Sequence, residues 1–165
     1  LVYQEAGNWN GILFAVQAVG SVLWAIVLPM FRNRRFGYFI SLVIGGIGFI
    51  STLFIADKWL LFVSYFLVGT AWAAMLAMPF TILTNSISGK HMGAYLGLFN
   101  GTITLPQIVA AALGGAVFGL LGGSSQLNMI VLAGVLLIIG GLCVFFIKET
   151  YAEKADPETE RFDEI

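Results

Sequence analysis

Uncharged polar side chains recur at helical spacing within long apolar stretches of this sequence. Asn100, Thr104 and Gln107 follow one another at intervals of four and three residues, so a helix places them on one face. Amides, hydroxyls and indole rings suit an uncharged polyhydroxyl ligand, because they hydrogen-bond to its edges and stack on its ring face. We therefore predict a binding site for a neutral solute. Its other predicted members, from two earlier stretches, are Gln17, Trp24 and Trp72.

Residue types for covalent or acid–base catalysis are almost absent from the apolar stretches. The sequence holds one histidine, His91, and one cysteine, Cys143, and no Asp, Glu, Lys or Arg lies inside the long apolar runs. These runs supply no nucleophile–base pair, no paired carboxylates and no cluster of metal ligands. We expect no enzyme activity, no metal site and no cofactor.

The composition predicts a membrane domain with a short charged tail. The chain has 165 residues, of which 59% are hydrophobic and 10% are charged, and its mean hydropathy is +0.92. A soluble domain averages about 25% charged residues. Ten of the seventeen charges fall in residues 148–165. We therefore expect a transmembrane domain over 1–147 and an acidic tail over 148–165. The net charge of −1 and the lack of a basic stripe give no sign of a nucleic-acid partner.

Five apolar runs are long enough to cross a bilayer as helices, which needs about 20 residues each. They predict an all-α, polytopic membrane helix bundle. The connections are short, so each helix should run antiparallel to the preceding one. The five predicted spans are 12–31, 36–56, 59–83, 92–121 and 127–147.

The basic residues predict the orientation in the membrane. Positive residues in short loops remain on the cytoplasmic side. Of the basic residues up to Lys148, all but Lys58 lie at one set of helix ends, and Lys58 lies at the other set. We therefore expect the acidic tail in the cytoplasm, residues 1–10 outside, and a multi-pass protein of the cell (inner or plasma) membrane. The basic residues at the cytoplasmic ends are Arg32, Arg34, Arg35, Lys90 and Lys148.

Polarity separates the five spans into two groups. The first, third and fourth spans carry the polar stripes, whereas the second and fifth are nearly uniformly apolar. A polar stripe must face protein or a water-filled cavity, and a uniformly apolar helix faces lipid or packed neighbours. The first, third and fourth spans are therefore predicted to be inner and the others peripheral. Pro106 removes one backbone hydrogen bond from the fourth span and should bend it beside Gln107.

Three runs of the sequence are distinctive: YQEAGNWNG (3–11), GTAWAAMLAMPFTILTNSI (69–87) and MGAYLGLFNGTITLPQIVAAALGG (92–115). They resemble the C-terminal half of sugar transporters of the major facilitator superfamily. The resemblance is strongest to the sucrose/maltose-type sugar:proton symporters, which are related to the glycoside–pentoside–hexuronide group. It covers nearly all of residues 3 to 147.

The resemblance implies that the five spans are helices 8 to 12 of a twelve-helix carrier. In that fold, helices 8, 10 and 11 line the central cavity, in agreement with the polarity sorting. It further implies a fragment of a secondary active transporter that moves a neutral sugar by alternating access in the bilayer, with a proton as the coupling ion. The coupling carboxylates of the family are expected in the N-terminal half, which this sequence does not include.

The loop LPMFRNRRFG departs from the family pattern. It keeps the basic residues Arg32, Arg34 and Arg35 but lacks the leading Gly and the Asp of the motif that gates the cytoplasmic side. We assign these arginines to topology first and to gating second.

Other interpretations stay open at this point. The stripe of Asn100, Thr104 and Gln107 could hold helices together by hydrogen bonds. Trp24 and Trp72 could fill the core. The chain could instead carry another neutral solute, such as a nucleoside or a drug, or serve as a non-transporting membrane subunit.

Overall fold

The computed structural model describes residues 2–87, 92–120 and 126–148, and no strand occurs among them. The described residues form five α-helices, as the all-α prediction required. Short 3-10 helices, Leu28–Met30 and Val144–Phe146, follow the first and the last of them. The α-helices are α1 (Val2–Val27), α2 (Arg34–Ser51), α3 (Leu61–Ser86), α4 (Met92–Leu120) and α5 (Gln126–Cys143).

Four of the five helices are long and apolar enough to cross a membrane. These stretches are Tyr3–Met30, Leu61–Ser86, Met92–Leu120 and Gln126–Phe146. The second predicted span, 36–56, is the exception, because α2 has 18 residues, includes Arg34 and Arg35, and ends at Ser51. The hydroxyl of Ser51 donates to the Gly48 carbonyl, and that of Thr52 donates to the Phe49 carbonyl. Such local bonds compete with continuation of the helix.

The chain divides into two compact units. The first comprises Leu1–Met78 and Phe118–Ile147, and the second comprises Pro79–Val117 and Lys148–Ile165. The first unit therefore contains α1, α2, most of α3, and α5. Most of α4 belongs to the second unit, and none of its residues is buried. Of the predicted acidic tail, only Lys148 lies within the described residues.

Within the first unit, α1 and α3 approach each other backbone to backbone. A Cβ atom on Gly20 would overlap the Phe66 carbonyl oxygen, and one on Gly69 would overlap the Gln17 carbonyl oxygen. The hydroxyl of Ser21 donates to the Gly69 carbonyl at 2.9 Å, which bonds the two helices at the same place. Small residues allow such close packing where lipid supplies no hydrophobic driving force. This crossing fixes the register of α1 against α3.

The other contacts of the first unit use small residues as well. Gly46 on α2 faces Gly134 on α5, and a Cβ on either residue would lie 2.8 Å from the carbonyl oxygen of the other. Between α2 and α3, the hydroxyls of Ser51 and Ser64 lie 2.8 Å apart. Ser64 also donates to the Gly48 carbonyl. The buried apolar side chains are few: Leu13, Leu28, Leu42, Val68, Ala71, Ala73, Ala74, Met78 and Val144.

An aromatic cluster joins the start of α1 to the start of α3. The ring centroids of Trp9 and Trp59 are 5.3 Å apart at an interplanar angle of 83°, and Phe62 stacks on Trp9 at 5.8 Å. The ammonium of Lys58 lies 4.7 Å from the centroid of the Trp9 ring, within range of a cation–π interaction. The cluster connects one end of the first unit across two helices.

Candidate binding site

Two cavities in the first unit share one wall, formed by Phe14, Gln17 and Trp72. The first has a volume of about 370 Å³ and the second about 500 Å³. Both volumes fall in the range of small-molecule sites, roughly 300–1,000 Å³. The remaining residues of the first cavity are Phe49, Tyr65, Val68, Ala71, Met75, Ala133 and Leu137. Those of the second are Ala18, Ser21, Val22 and Leu76.

The crossing of α1 and α3 determines where Gln17 and Trp72 stand. The backbone carbonyl of Gln17 touches Gly69, which precedes Trp72 by three residues on α3. Residues three apart lie on neighbouring positions of one helix face. The hydroxyl of Ser21 approaches the Gln17 carbonyl at 3.1 Å and the Gly69 carbonyl at 2.9 Å. The shared wall is therefore built on the most closely packed point between the two helices.

Three polar groups of the cavity lining are available to a ligand. Within the described part of the chain, the amide of Gln17, the indole N–H of Trp72 and the hydroxyl of Tyr65 have no hydrogen-bond partner. Trp72 is 50% exposed, so its ring face is open as well. An indole and an amide with free donors and acceptors can hold a neutral ligand by stacking and hydrogen bonds.

The lining is otherwise apolar. Of the described residues that line the two cavities, none carries a charge. The rings of Phe14 and Tyr65 meet edge to face, with centroids 6.3 Å apart. An ionised ligand would lose its hydration here without gaining an opposite charge, and that loss is costly in an apolar site. The cavities therefore suit an uncharged molecule.

Trp24, the other predicted aromatic member of the site, makes its contacts elsewhere. Its indole nitrogen donates to the Ser41 hydroxyl at 2.8 Å, and its ring packs on the cluster that contains Leu28 and Ala74. Ser41 in turn donates to the Gly37 carbonyl. Trp24 is not among the residues that line the two cavities. The structure gives it a contact between α1 and α2 and leaves a ligand role as a prediction.

The predicted stripe of Asn100, Thr104 and Gln107 lies on α4, in the second unit. All three side chains are exposed, and the helix continues without interruption through Pro106. Nothing lies within 4 Å of a Cβ placed on Gly97. The part of this stripe in a site remains a prediction.

The three predicted gating or topology arginines surround the start of α2. The side-chain oxygen of Asn33 accepts a hydrogen bond from the Phe36 backbone N–H and caps the helix. Arg34 and Arg35 occupy its first turn, where positive charge opposes the helix dipole. Arg32 is exposed. Helix stability alone does not explain this placement, which fits the predicted role in membrane orientation.

The structure adds cavity residues that sequence reasoning did not select. Phe14 is in the shared wall, and Phe49 on α2 and Leu137 on α5 line the first cavity. Both α2 and α5, which the sequence predicts to be peripheral, therefore contribute to this lining. Polar stripes reveal the polar part of a wall, whereas an apolar wall residue looks like any other residue of an apolar helix.

The chain matches the family model described as Major Facilitator Superfamily over residues 3–163. Comparison with curated proteins found no match, and comparison with solved structures also found none.

Proposed function

We propose that this chain, which belongs to the Major Facilitator Superfamily of membrane transporters, takes part in moving a neutral sugar of the sucrose or maltose type. The observation that carries the proposal is the shared wall, where Gln17 and Trp72 face two uncharged cavities. A sugar ring has an apolar C–H face for an indole and a rim of hydroxyls for an amide. Trp72 and Gln17 offer these two partners side by side.

The neutral lining supports an uncharged substrate. Aromatic faces with a few polar groups are typical of sites for small neutral molecules. In a carrier, such a site lies near the bilayer midplane, and transport proceeds as one half of the protein rocks against the other around it. By its resemblance to helices 8 to 12 of such carriers, the chain would supply most of the C-terminal half of the carrier.

Coupling to protons rests on the resemblance alone. No described residue that lines the two cavities carries a carboxylate. Proton symport would therefore use acidic residues of the N-terminal half. We place the carrier in the cell (inner or plasma) membrane with the acidic tail in the cytoplasm, as the basic residues at one set of helix ends favour.

A second candidate, a carrier of a less polar neutral solute such as a nucleoside or a drug, has one observation in its favour. Most of the first cavity is formed by aromatic and aliphatic side chains, including Phe49, Val68 and Leu137. This lining would accept an aromatic ring more readily than a second sugar ring.

A counterflow assay distinguishes a sugar carrier from a carrier of a less polar neutral solute. The complete carrier is reconstituted in liposomes, and exchange of radiolabelled sucrose and maltose is compared with that of uridine. Sugar exchange that falls at least about ten-fold in Gln17→Ala supports the proposal, because a stranded hydrogen-bond partner costs about 1–3 kcal/mol. Gln4→Ala, an exposed glutamine on the same helix, serves as the matched control. Exchange of uridine without sugar exchange would favour the second candidate.

A further inference from the structure

The two cavities differ in what they offer a ligand beyond their shared wall. The second cavity adds the hydroxyl of Ser21, which keeps its lone pairs as acceptors while it donates to backbone carbonyls. The first adds seven residues, of which only Tyr65 carries a polar atom on its side chain. One cavity can therefore bind a hydroxylated ring together with the shared wall, and the other is built for an apolar group.

A sugar ring would fit poorly in the first cavity. Each of its hydroxyls would leave water, and beyond the shared wall only the Tyr65 hydroxyl could replace a lost hydrogen bond. A hydroxyl that is buried without a partner is unfavourable. The rings of Phe14 and Tyr65, at right angles to each other, instead suit an aromatic group.

We infer that the ligand is a glycoside with an apolar aglycone: its sugar ring stacks on Trp72 beside Gln17, and its aglycone enters the cavity lined by Phe49, Ala133 and Leu137. The inference rests on the sugar-binding part of the proposed function, and it replaces the second sugar ring of a sucrose- or maltose-type ligand with an apolar aglycone. The first cavity, at about 370 Å³, is large enough for a small ligand group. The wall residues Gln17 and Trp72 then mark the junction of the two moieties.

Two alanines allow each cavity to be filled separately. Ala133 on α5 lines only the first cavity, and Ala18 on α1 lines only the second. Ala133→Phe should occupy the aglycone space and leave the sugar space open. Ala18→Phe should obstruct the sugar space. Met75→Phe narrows the first cavity from α3 and provides a second variant if Ala133→Phe does not give folded protein.

The test uses the complete carrier, purified in lipid nanodiscs, and matched methyl and phenyl glycosides of glucose and galactose in both anomers. Binding is measured by titration calorimetry on protein that elutes as a single species. We expect a phenyl glycoside to bind about ten-fold tighter, or more, than its methyl partner, because the phenyl ring leaves water. Ala133→Phe or Met75→Phe should reduce the ratio of phenyl to methyl affinity to about one, and Ala18→Phe should weaken the binding of both partners.

The outcomes separate the inference from the function on which it rests. Equal affinity for methyl and phenyl partners would overturn the aglycone assignment and leave a sugar carrier. A phenyl advantage that survives both Ala133→Phe and Met75→Phe would show that the aglycone binds elsewhere, which also overturns the inference. Failure of every glycoside to bind would overturn the proposed function and the inference together.

Discussion

The indole nitrogen of Trp24 lies 2.8 Å from the hydroxyl oxygen of Ser41 and donates a hydrogen bond to it. This bond joins α1 to α2. Trp72, the other mid-helix tryptophan of the predicted site, has no such partner within the described residues and borders both cavities. Two residues of the same type therefore have different surroundings, and their substitution should have different consequences.

Trp24→Phe should lower stability and leave ligand affinity unchanged. The variant loses one interhelical hydrogen bond, which inside a membrane protein is worth about 0.6 kcal/mol on average. The measurement is thermal unfolding of the purified carrier, its Trp24→Phe and Ser41→Ala variants and the double variant, compared as a double-mutant cycle. Weakened glycoside binding with unchanged unfolding temperature would instead place Trp24 in the site.

Trp72→Ala should reduce glycoside affinity by about ten-fold or more, since a stacked aromatic pair is worth about 0.5–1.5 kcal/mol beyond its area burial. Trp72→Phe should lose less, because a ring face remains. Trp59→Ala is the matched control, since Trp59 is 59% exposed and Trp72 is 50% exposed. Equal losses of affinity in Trp59→Ala and Trp72→Ala would contradict the assignment.

Gly20→Ala should prevent α1 and α3 from reaching their observed separation. The added methyl would meet the Phe66 carbonyl, which belongs to the backbone and cannot rotate away. We expect a large loss of folded, monodisperse protein, measured by fluorescence-detected gel filtration. Gly11→Ala on the same helix should have little effect, because nothing lies within 4 Å of a Cβ there. Normal yield of Gly20→Ala would show that the crossing is wrongly placed.

Gln107→Ala tests the part of the predicted site on α4. If Gln107 contacts the ligand, affinity should fall by roughly ten-fold or more while folded yield is retained. If the residue only holds helices together, folded yield should fall and the surviving protein should bind normally. Binding titrations on purified Gln107→Ala, with Asn100→Ala and Thr104→Ala in parallel, distinguish these results.

The orientation can be tested with single cysteines. Cys143, which is exposed, is first replaced by Ser, and Asn8→Cys and Glu158→Cys are then introduced separately. An impermeant thiol reagent applied to intact cells should label Asn8→Cys only, because basic residues favour a cytoplasmic location for the opposite ends. Labelling of Glu158→Cys alone would reverse the topology.

Hydropathy predicted where the helices lie but not every helix end. α4 begins at Met92, as predicted, whereas α2 stops at Ser51, five residues before the predicted end of its span. The apolar residues Leu53, Phe54 and Ile55 suggest continuation, whereas the backbone N–H groups of Leu53 and Phe54 bond three residues back, in the tighter 3-10 pattern. Hydropathy cannot register such bonds, because it averages over side chains and ignores their local geometry.

The site was only partly accessible from sequence, for two physical reasons. Gln17 and Trp72 were recognisable because polar and aromatic groups are conspicuous in an apolar helix, and the structure brings both to one wall. Phe49 and Leu137 gave no signal, since nothing in their type separates a cavity wall from a packed core. Spacing also could not tell that Trp24 has Ser41 as a partner, because that contact depends on how α2 packs against α1.

The shortness of α2 has a consequence for how this protein is made. Among the described α-helices, α2 alone is not both long and apolar enough to cross a membrane, yet it is bonded to α1 through Ser41 and to α3 through Gly48, whose carbonyl accepts from Ser64. Because α2 precedes α3 along the chain, it reaches the translocon first. The translocon should therefore release α2 poorly into lipid on its own, and α2 should insert stably only once α3 arrives to pair with it. Chains truncated after residue 60 and released from the ribosome should leave α2 accessible from the cytoplasm.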